Sequence, residues 1–399
     1  MKIIKGRQMR QVVSGVLGVI ILLIIAWVGI WFYAEMRVKQ MLVAGIERID
    51  STGVEKVTYE KLVTGNSPLT ASVAFLQPNL SARLDPSSPV VTISAARFGA
   101  HVNLLHPLTL VFDIPLSTSI NTGGVSEVLT FQSVKLVCHL SPGIWLGNAK
   151  NPILGVDADL TGINLLASNG SLQVLQVDRI TTHETLNIQA NSSQTAMAFT
   201  SDIQNLRLSS ILTRLFNIPF NGTINRLSTA LTLSGPLNWE QLTAQNEAPQ
   251  TNQQRADATL QTLHSWAEAN GHAQGSLNLR LGPSNIQTSF TLGFDQQAQP
   301  NGTADIFADH LGQFFNQVVT SYPEAQGWVG QITTVLGPYL SNTAQAGQVL
   351  NMHTLYGQNG VFINGQKMGD MPELDWNNLL NRLSLPDLAP GDGSGAMSQ

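Results

Sequence analysis

From Gln11 to Ala34 the chain runs for 24 positions without a formal charge, behind four bases, Lys2, Lys5, Arg7 and Arg10, and no acid. A helix of that length extends roughly 36 Å at ~1.5 Å per residue, enough to cross a ~30 Å hydrocarbon core with some tilt. The run predicts one membrane-spanning helix that includes Val12, Leu17, Ile21, Ile25, Trp27 and Trp31, with Lys2, Lys5, Arg7 and Arg10 setting its orientation. Basic flanks stay in the cytoplasm, so the chain beyond Ala34 is expected on the opposite side of the membrane. A cleaved secretory leader would have a shorter apolar core and small residues at its end. Here Trp27, Trp31, Phe32 and Tyr33 crowd that end, which suits the membrane interface. Val38, Leu42, Gly45, Ile46 and Ile49 then recur at helical spacing, predicting an amphipathic helix over 35–50.

The remaining chain is long enough for one large domain or two smaller ones. Charged residues make up only 12% of the 399, so Asn, Gln, Ser and Thr must supply much of the polar surface. Beyond residue 39 there are fifteen bases and twenty-five acids, diffusely spread. That pattern lacks the clustered Lys and Arg that neutralise phosphates, and excludes nucleic acid as a partner. The single cysteine, Cys138, lies in an apolar run beside Val137 and reads as a buried thiol.

Between about Val54 and Leu237 short runs alternate apolar and polar residues, separated by Gly, Pro, Asn and Ser, which is the pattern of antiparallel sheet. Leu154, Val156, Ala158 and Leu160 define one face, with Asp157 and Asp159 on the other; Leu186, Ile188 and Ala190, Leu277 to Leu281, and Phe290 to Phe294 repeat the period. Spacing of three and four predicts helices over 208–216, 256–267, 311–319 and 332–336. Asn359-Gly360 predicts the turn of a late hairpin. Residues from Asp202 to Phe216 align with those from Asp305 to Val319 at an offset of 103, as a strand-then-helix unit. The expected class is mainly β with a few helices (α+β): a transmembrane helix, then a large curved antiparallel sheet or sandwich. The expected divisions are a cytoplasmic tip and anchor over 1–34, the amphipathic helix over 35–50, a β-rich domain over 51–385 that could be two halves joined near 244–258, and a disordered tail over 386–399.

No motif names a reaction. Asp157 and Asp159 could bind a cation, but read better as solvated outer-face acids. Asp305, Asp309 and His310 read as residues at a helix start, where the dipole favours carboxylates. His183-Glu184 does not extend to a metalloprotease helix motif, and phosphate-binding and nucleophile-elbow patterns are lacking. Asn221-Gly222-Thr223 and Asn301-Gly302-Thr303 read as turns rather than glycosylation sites. No catalytic, metal or cofactor residue is assigned.

An ordered set of residues resembles the bacterial membrane-anchored family called domain of unknown function 2125: Asp202-Ile203 with Leu208, the stretch from Thr229 to Leu237, Trp266 with Asn270-Gly271, Leu281-Gly282-Pro283, Gln299 to Gly302, Asn359 to Phe362, and Met368 to Pro372. Members usually carry two glycines after the tryptophan helix, where this chain has Asn270-Gly271. The resemblance covers most of 35–376 and implies a bacterial inner-membrane protein facing the periplasm, without a known activity. The layout is also similar to AsmA-like envelope proteins, with one anchor and a long curved sheet that cradles lipid. Two functions are expected on this basis: a non-enzymatic envelope protein that binds or guides a lipid or other apolar ligand, or a scaffold that docks another envelope protein.

Overall fold

The computed structural model describes residues 3–51, 55–65, 67–83, 88–147, 153–167, 172–238 and 252–376. Side chains are described from Leu23 in the first helix and from Ala258 in the long interior helix. The expected tail over 386–399 and most of the expected connection over 244–258 lie outside these residues.

Among the described residues, twenty-one strands join into one antiparallel sheet, whose strands follow one another in chain order. The first five passes are each broken in the middle: β1 (Glu55–Thr58) and β2 (Lys61–Thr64), β3 (Thr70–Leu76) and β4 (Asn79–Ala82), β5 (Val91–Ser94) and β6 (Arg97–Asn103), β7 (Thr109–Asp113) and β8 (Ser117–Thr122), β9 (Val125–Thr130) and β10 (Ser133–Leu140). Along one flank β1, β4, β5, β8 and β9 pair in turn; along the other, β2, β3, β6, β7 and β10 do so. Both β9 and β10 then pair with the same edge of an unbroken strand, β11 (Ile153–Ala167).

An up-and-down meander continues through β12 (Leu172–Leu186), β13 (Thr195–Leu208), β14 (Thr223–Ser234), β15 (His272–Leu281), β16 (Ser284–Phe294) and β17 (Pro300–Ala308). After the short β18 (Leu340–Thr343), β19 (Gly347–Gly357) closes the series against β17, with β18 and the small strands β20 (Gly360–Ile363) and β21 (Gln366–Gly369) at its outer edge. Most neighbours are joined by short connections, since antiparallel strands need only a tight turn, while β13 to β14, β14 to β15 and β17 to β19 are joined through helices. The expected mainly β class is what the chain adopts, as one sheet.

The breaks line up into a crease. Gln77, at φ +48°, and Pro78 interrupt one pass, Ala95 and Ala96 the next, then Ile114 to Leu116 around Pro115, then Phe131 and Gln132. Backbone bonds bridge it, with Gln77 N donating to Ala96 O at 3.0 Å and Gln132 N to Thr161 O at 2.8 Å. Gly162 meets the crease in β11 at φ +58°, where an added Cβ would stand 2.6 Å from Gln132 Cβ. An extra residue in a strand bends it locally, so a row of such breaks folds the sheet across its strands.

Helix α1 (Ile3–Ser51) is one element of 49 residues, so the amphipathic stretch over 35–50 is its last part rather than a separate helix. Ala34 and Val38 pack on Ala71, Val73, Ala100, Val102, Leu110, Cys138 and Leu140, the apolar face of the broken passes. Among the described residues no helix is long and apolar enough to cross a membrane. The first half of the expected span, with Val12, Leu17 and Ile21, lies outside the described side chains, as do Lys2, Lys5, Arg7 and Arg10.

The other helices are α2 (Gly143–Leu146), α3 (Ser210–Leu215), α4 (Asn252–Glu268), α5 (Leu311–Ser321) and α6 (Gln326–Leu336). The helix expected from Leu208 begins later, because Leu208 still pairs with Leu175 in the sheet and Ser209 caps α3 through Leu212 N. After α4, Asn270 takes the left-handed turn at φ +57°. Gly271 cannot be larger: an added Cβ would sit 2.3 Å from the Trp266 indole. Trp266 is buried with Phe294, Leu237 and Ala273 and donates Nε1–H to Ser234 O at 2.9 Å.

Three expectations need correcting. Ile188 and Ala190 do not extend a strand, since Asn187 and Asn191 accept from Gln189 N and Ser193 N and turn the chain. The late hairpin turns at Gln358 and Asn359, and Gly360, at φ +110°, already pairs with Gly357. Asn301-Gly302-Thr303 is no turn but lies within β17, where Gly302 leaves room for Thr291 O.

Candidate functional site

Antiparallel pairing puts directly opposed residues on one face, so registers read across the sheet reveal rows that one strand cannot show. The row Val134, Leu160, Ile180, Ile203, Leu227, Leu279, Ile286, Ala308 and Leu350 crosses β10 through β19 with an apolar side chain at each strand. Eight steps of ~4.8 Å make it roughly 38 Å long. Its centre, from Leu160 to Leu279, belongs to none of the three buried cores and is only half-buried. The α4 core lies over the β14 to β16 side of this face and the α5 core over β16 to β19.

At the other end of the same face, α1 closes over the crease and leaves a cavity of about 550 Å³. Met41, Leu42, Gly45, Ile46 and Ile49 of α1 form one wall. Phe75, Phe98, Leu110 and Phe112 come from one flank of the crease, Val57, Leu80 and Ile93 from the other, and Pro78, Ala95, Ile114 and Pro115 from the crease itself. Thr118 is the one side chain with a polar atom among the described lining residues. The chemistry of such a site is exclusion: a water there lacks the two to four polar partners it needs, so the space suits an apolar occupant.

The opposite face is polar across most of its width, with Phe307 an exposed apolar member of its central row. The row Asp159, Thr181, Asp202, Ser228, Asn278, Gln287, Phe307 and Asn351 runs across the same strands. Arg179 grips both oxygens of Asp159, at 2.9 and 2.8 Å, and this bond holds the carboxyl below its ordinary range. His183 and His139 both bond Asp157, His139 Nε2 at 2.7 Å, and these two bonds, His183 first, lower its pKa. The expected solvated acids are thus exposed but paired. Asp305 is not at a helix start. It sits within β17 and bonds His353 Nδ1 at 2.6 Å, while Asp309 accepts from Asn285 N and contacts His310, the residue before α5. The helix-start reading fails for Asp305 alone, because β17 continues past it to Ala308; Asp309 and His310 do stand at the start of α5. Among the described residues no group of three or more His, Cys, Asp or Glu is placed to hold a metal ion. Cys138 is buried beneath α1, and burial pushes its thiol pKa up.

Of the residues expected in the span, Ile25 is exposed, whereas Trp27 and Trp31 meet the start of β3: their indoles donate to Pro68 O, in the turn before it, at 2.8 Å and to Thr70 O at 3.2 Å. Tyr33 likewise bonds Trp145 O. The aromatic end of the uncharged run is therefore also the joint between helix and body.

These features define a class: a creased antiparallel meander with one polar and one apolar face, the latter partly roofed by an N-terminal helix. The chain belongs to the bacterial family described as uncharacterized protein conserved in bacteria (DUF2125), whose family model matches residues 31–353. The match ends within β19, so the closing residues from Asn359 to Pro372 fall beyond it. No curated protein and no solved structure matches the chain.

Proposed function

We propose that the protein is a single-pass, non-enzymatic component of the bacterial envelope, held in the inner membrane by its first helix, whose periplasmic sheet holds the acyl part of a lipid. The observation that carries this reading is the 550 Å³ cavity with a single hydroxyl in its described lining. Its size falls within the ~300–1,000 Å³ of small-ligand sites, but it lacks the few convergent polar groups that orient a polar ligand. An alkyl chain needs none, and each methylene withdrawn from water contributes about 0.8 kcal/mol.

Two further features support the reading. One wall of the cavity is α1 itself, so the uncharged run over 11–34 and the cavity lining at Met41 to Ile49 are parts of one helix. An acyl chain leaving the bilayer beside that helix has a short apolar path. Beyond the cavity, the row from Leu160 to Leu279 offers an apolar surface for chain length the cavity does not hold.

Native mass spectrometry of the full chain extracted from bacterial membranes tests the proposal. The expected result is a population carrying bound phospholipid, reduced in Gly45→Leu, whose new side chain enters a space with no atom within 4 Å of the added Cβ. A lipid-free protein with an unaltered fold would instead favour a scaffold that docks another envelope protein.

A further inference from the structure

Across the middle of the polar face the strand registers set two rows side by side. Asp202, Ser228, Asn278, Gln287 and Phe307 make one; Thr200, Ala230, Ser276, Ser289 and Asp305 make the other. On β14 to β16 their shared floor is small, Ser228, Ala230, Ser276 and Ser289, while longer side chains stand around it. The result is a hollow of about 500 Å³ on this face. It follows from side-chain size alone, over strands whose pairing is unbroken there.

One wall is fixed in place. Asp202 accepts from Arg226 Nε and Gln204 Nε2, each at 2.6 Å, and from Ser228 Oγ, so both of its oxygens are engaged. Four strand steps away, roughly 19 Å at ~4.8 Å per strand, the other wall is the Phe307 ring, 37% exposed. Between them the amides of Asn278 and Gln287 and the hydroxyls of Ser276 and Ser289 have no hydrogen-bond partner among the described residues.

We propose that this hollow binds a short stretch of uncharged saccharide. A sugar ring carries hydroxyls that both donate and accept around its edge, which free amides and hydroxyls match. Its C–H groups, slightly positive, rest on the negative face of an aromatic ring, which gives the exposed Phe307 a partner. Other ligand classes fit less well. The lining holds one guanidinium, already bonded to Asp202, against two carboxylates, so a phosphate or an acidic sugar meets net negative charge. A metal ion finds Asp202 engaged and Asp305 bonded to His353, and no group of three or more ligating side chains among the described residues. An extended peptide adds to a sheet at its edge, whereas β13 to β17 are paired on both sides. A folded protein would seat an aromatic or aliphatic anchor, and this floor offers it hydroxyls. The hollow lies on the face opposite the acyl row, so the inference stands independently of the lipid reading.

The test uses the full chain in lipid nanodiscs prepared without sugar-headed detergent. Saturation-transfer NMR is recorded with neutral trisaccharides of glucose and of N-acetylglucosamine, and with the trisaccharide of galacturonic acid. The expected result is transfer to the ring C–H protons of at least one neutral sugar, none to the acidic one and none from empty nanodiscs. Phe307→Ala and Gln287→Ala should each weaken binding about five- to tenfold, the effect of one lost contact, while Phe307→Trp keeps it. Ser276→Leu, at an exposed position, fills the floor and should abolish binding without shifting the melting temperature. Displacement of the trisaccharide by purified cell-wall polysaccharide or by a neutral-headed glycolipid identifies which of them carries the sugar. Binding of neither neutral trisaccharide, a preference for the acidic one, or full binding in Ser276→Leu would overturn the proposal.

Discussion

Two stretches of one apolar face differ only in what lies over them. Under α1, Ala71, Val73 and Val102 are buried almost completely, whereas Ile180, Ile203 and Leu227, several strands along, are half-buried in a row of the same chemistry. The alternation that makes both stretches apolar is local; the cover is not. A side chain such as Ile or Leu gains ~1.5–3 kcal/mol from full burial, so the uncovered stretch leaves part of that gain unrealised at every strand. The difference separates residues that hold the fold from residues available to an apolar ligand.

A charge placed on each side breaks the comparison most sharply. Val102→Asp puts an unpaired carboxylate in a closed core and should cost about 4 kcal/mol or more in urea unfolding, or abolish folding. Ile203→Asp, on the half-buried row, should cost only about 1 kcal/mol while removing bound lipid. Equal losses of stability would mean that the row is covered as fully as the core. Gly45→Leu sharpens the contrast from the helix side: with helix propensity improved and open space at the site, it should raise stability by roughly 0.5–1 kcal/mol while less lipid is retained. Lower stability would show that the cavity has no room for the added side chain.

The smallest effect concerns the polar face. Asp157 is held below the ordinary carboxylate range by His183 and His139, so its contribution to stability is present above about pH 4 and fades as acid protonates it. Asp157→Asn should flatten only the acid limb of a thermal-stability profile, by a small amount because the carboxylate is largely exposed, and leave lipid binding unchanged. A change in lipid binding would join the two faces in one function.

Much of this was legible in the sequence and some was not. Period-two alternation in Leu154 to Leu160 and Leu277 to Leu281 gives strands and their faces, and Asn270-Gly271 gives the end of the tryptophan helix. Registers are a property of pairs, so nothing in a single strand aligns Ile203 with Leu227 or shows that the row continues to Leu350. Gln77-Pro78 and Ile114-Pro115 look like strand ends, yet they are bends within longer passes, because neighbouring passes break at the same level. Asp305 looked like a helix-start acid because it lies within a few residues of His310, and a strand end is indistinguishable there from a capping segment.

The central claim is that the apolar face, in the cavity and along the open row, is occupied by acyl chains. Photo-crosslinking side chains at Ile46 and at Leu227 of the full chain, activated in membranes, test it most directly. Phospholipid adducts at both positions, and none at Asn278 on the polar face, are predicted. Adducts to protein alone, or lipid adducts at Asn278 as readily as at Leu227, would contradict it.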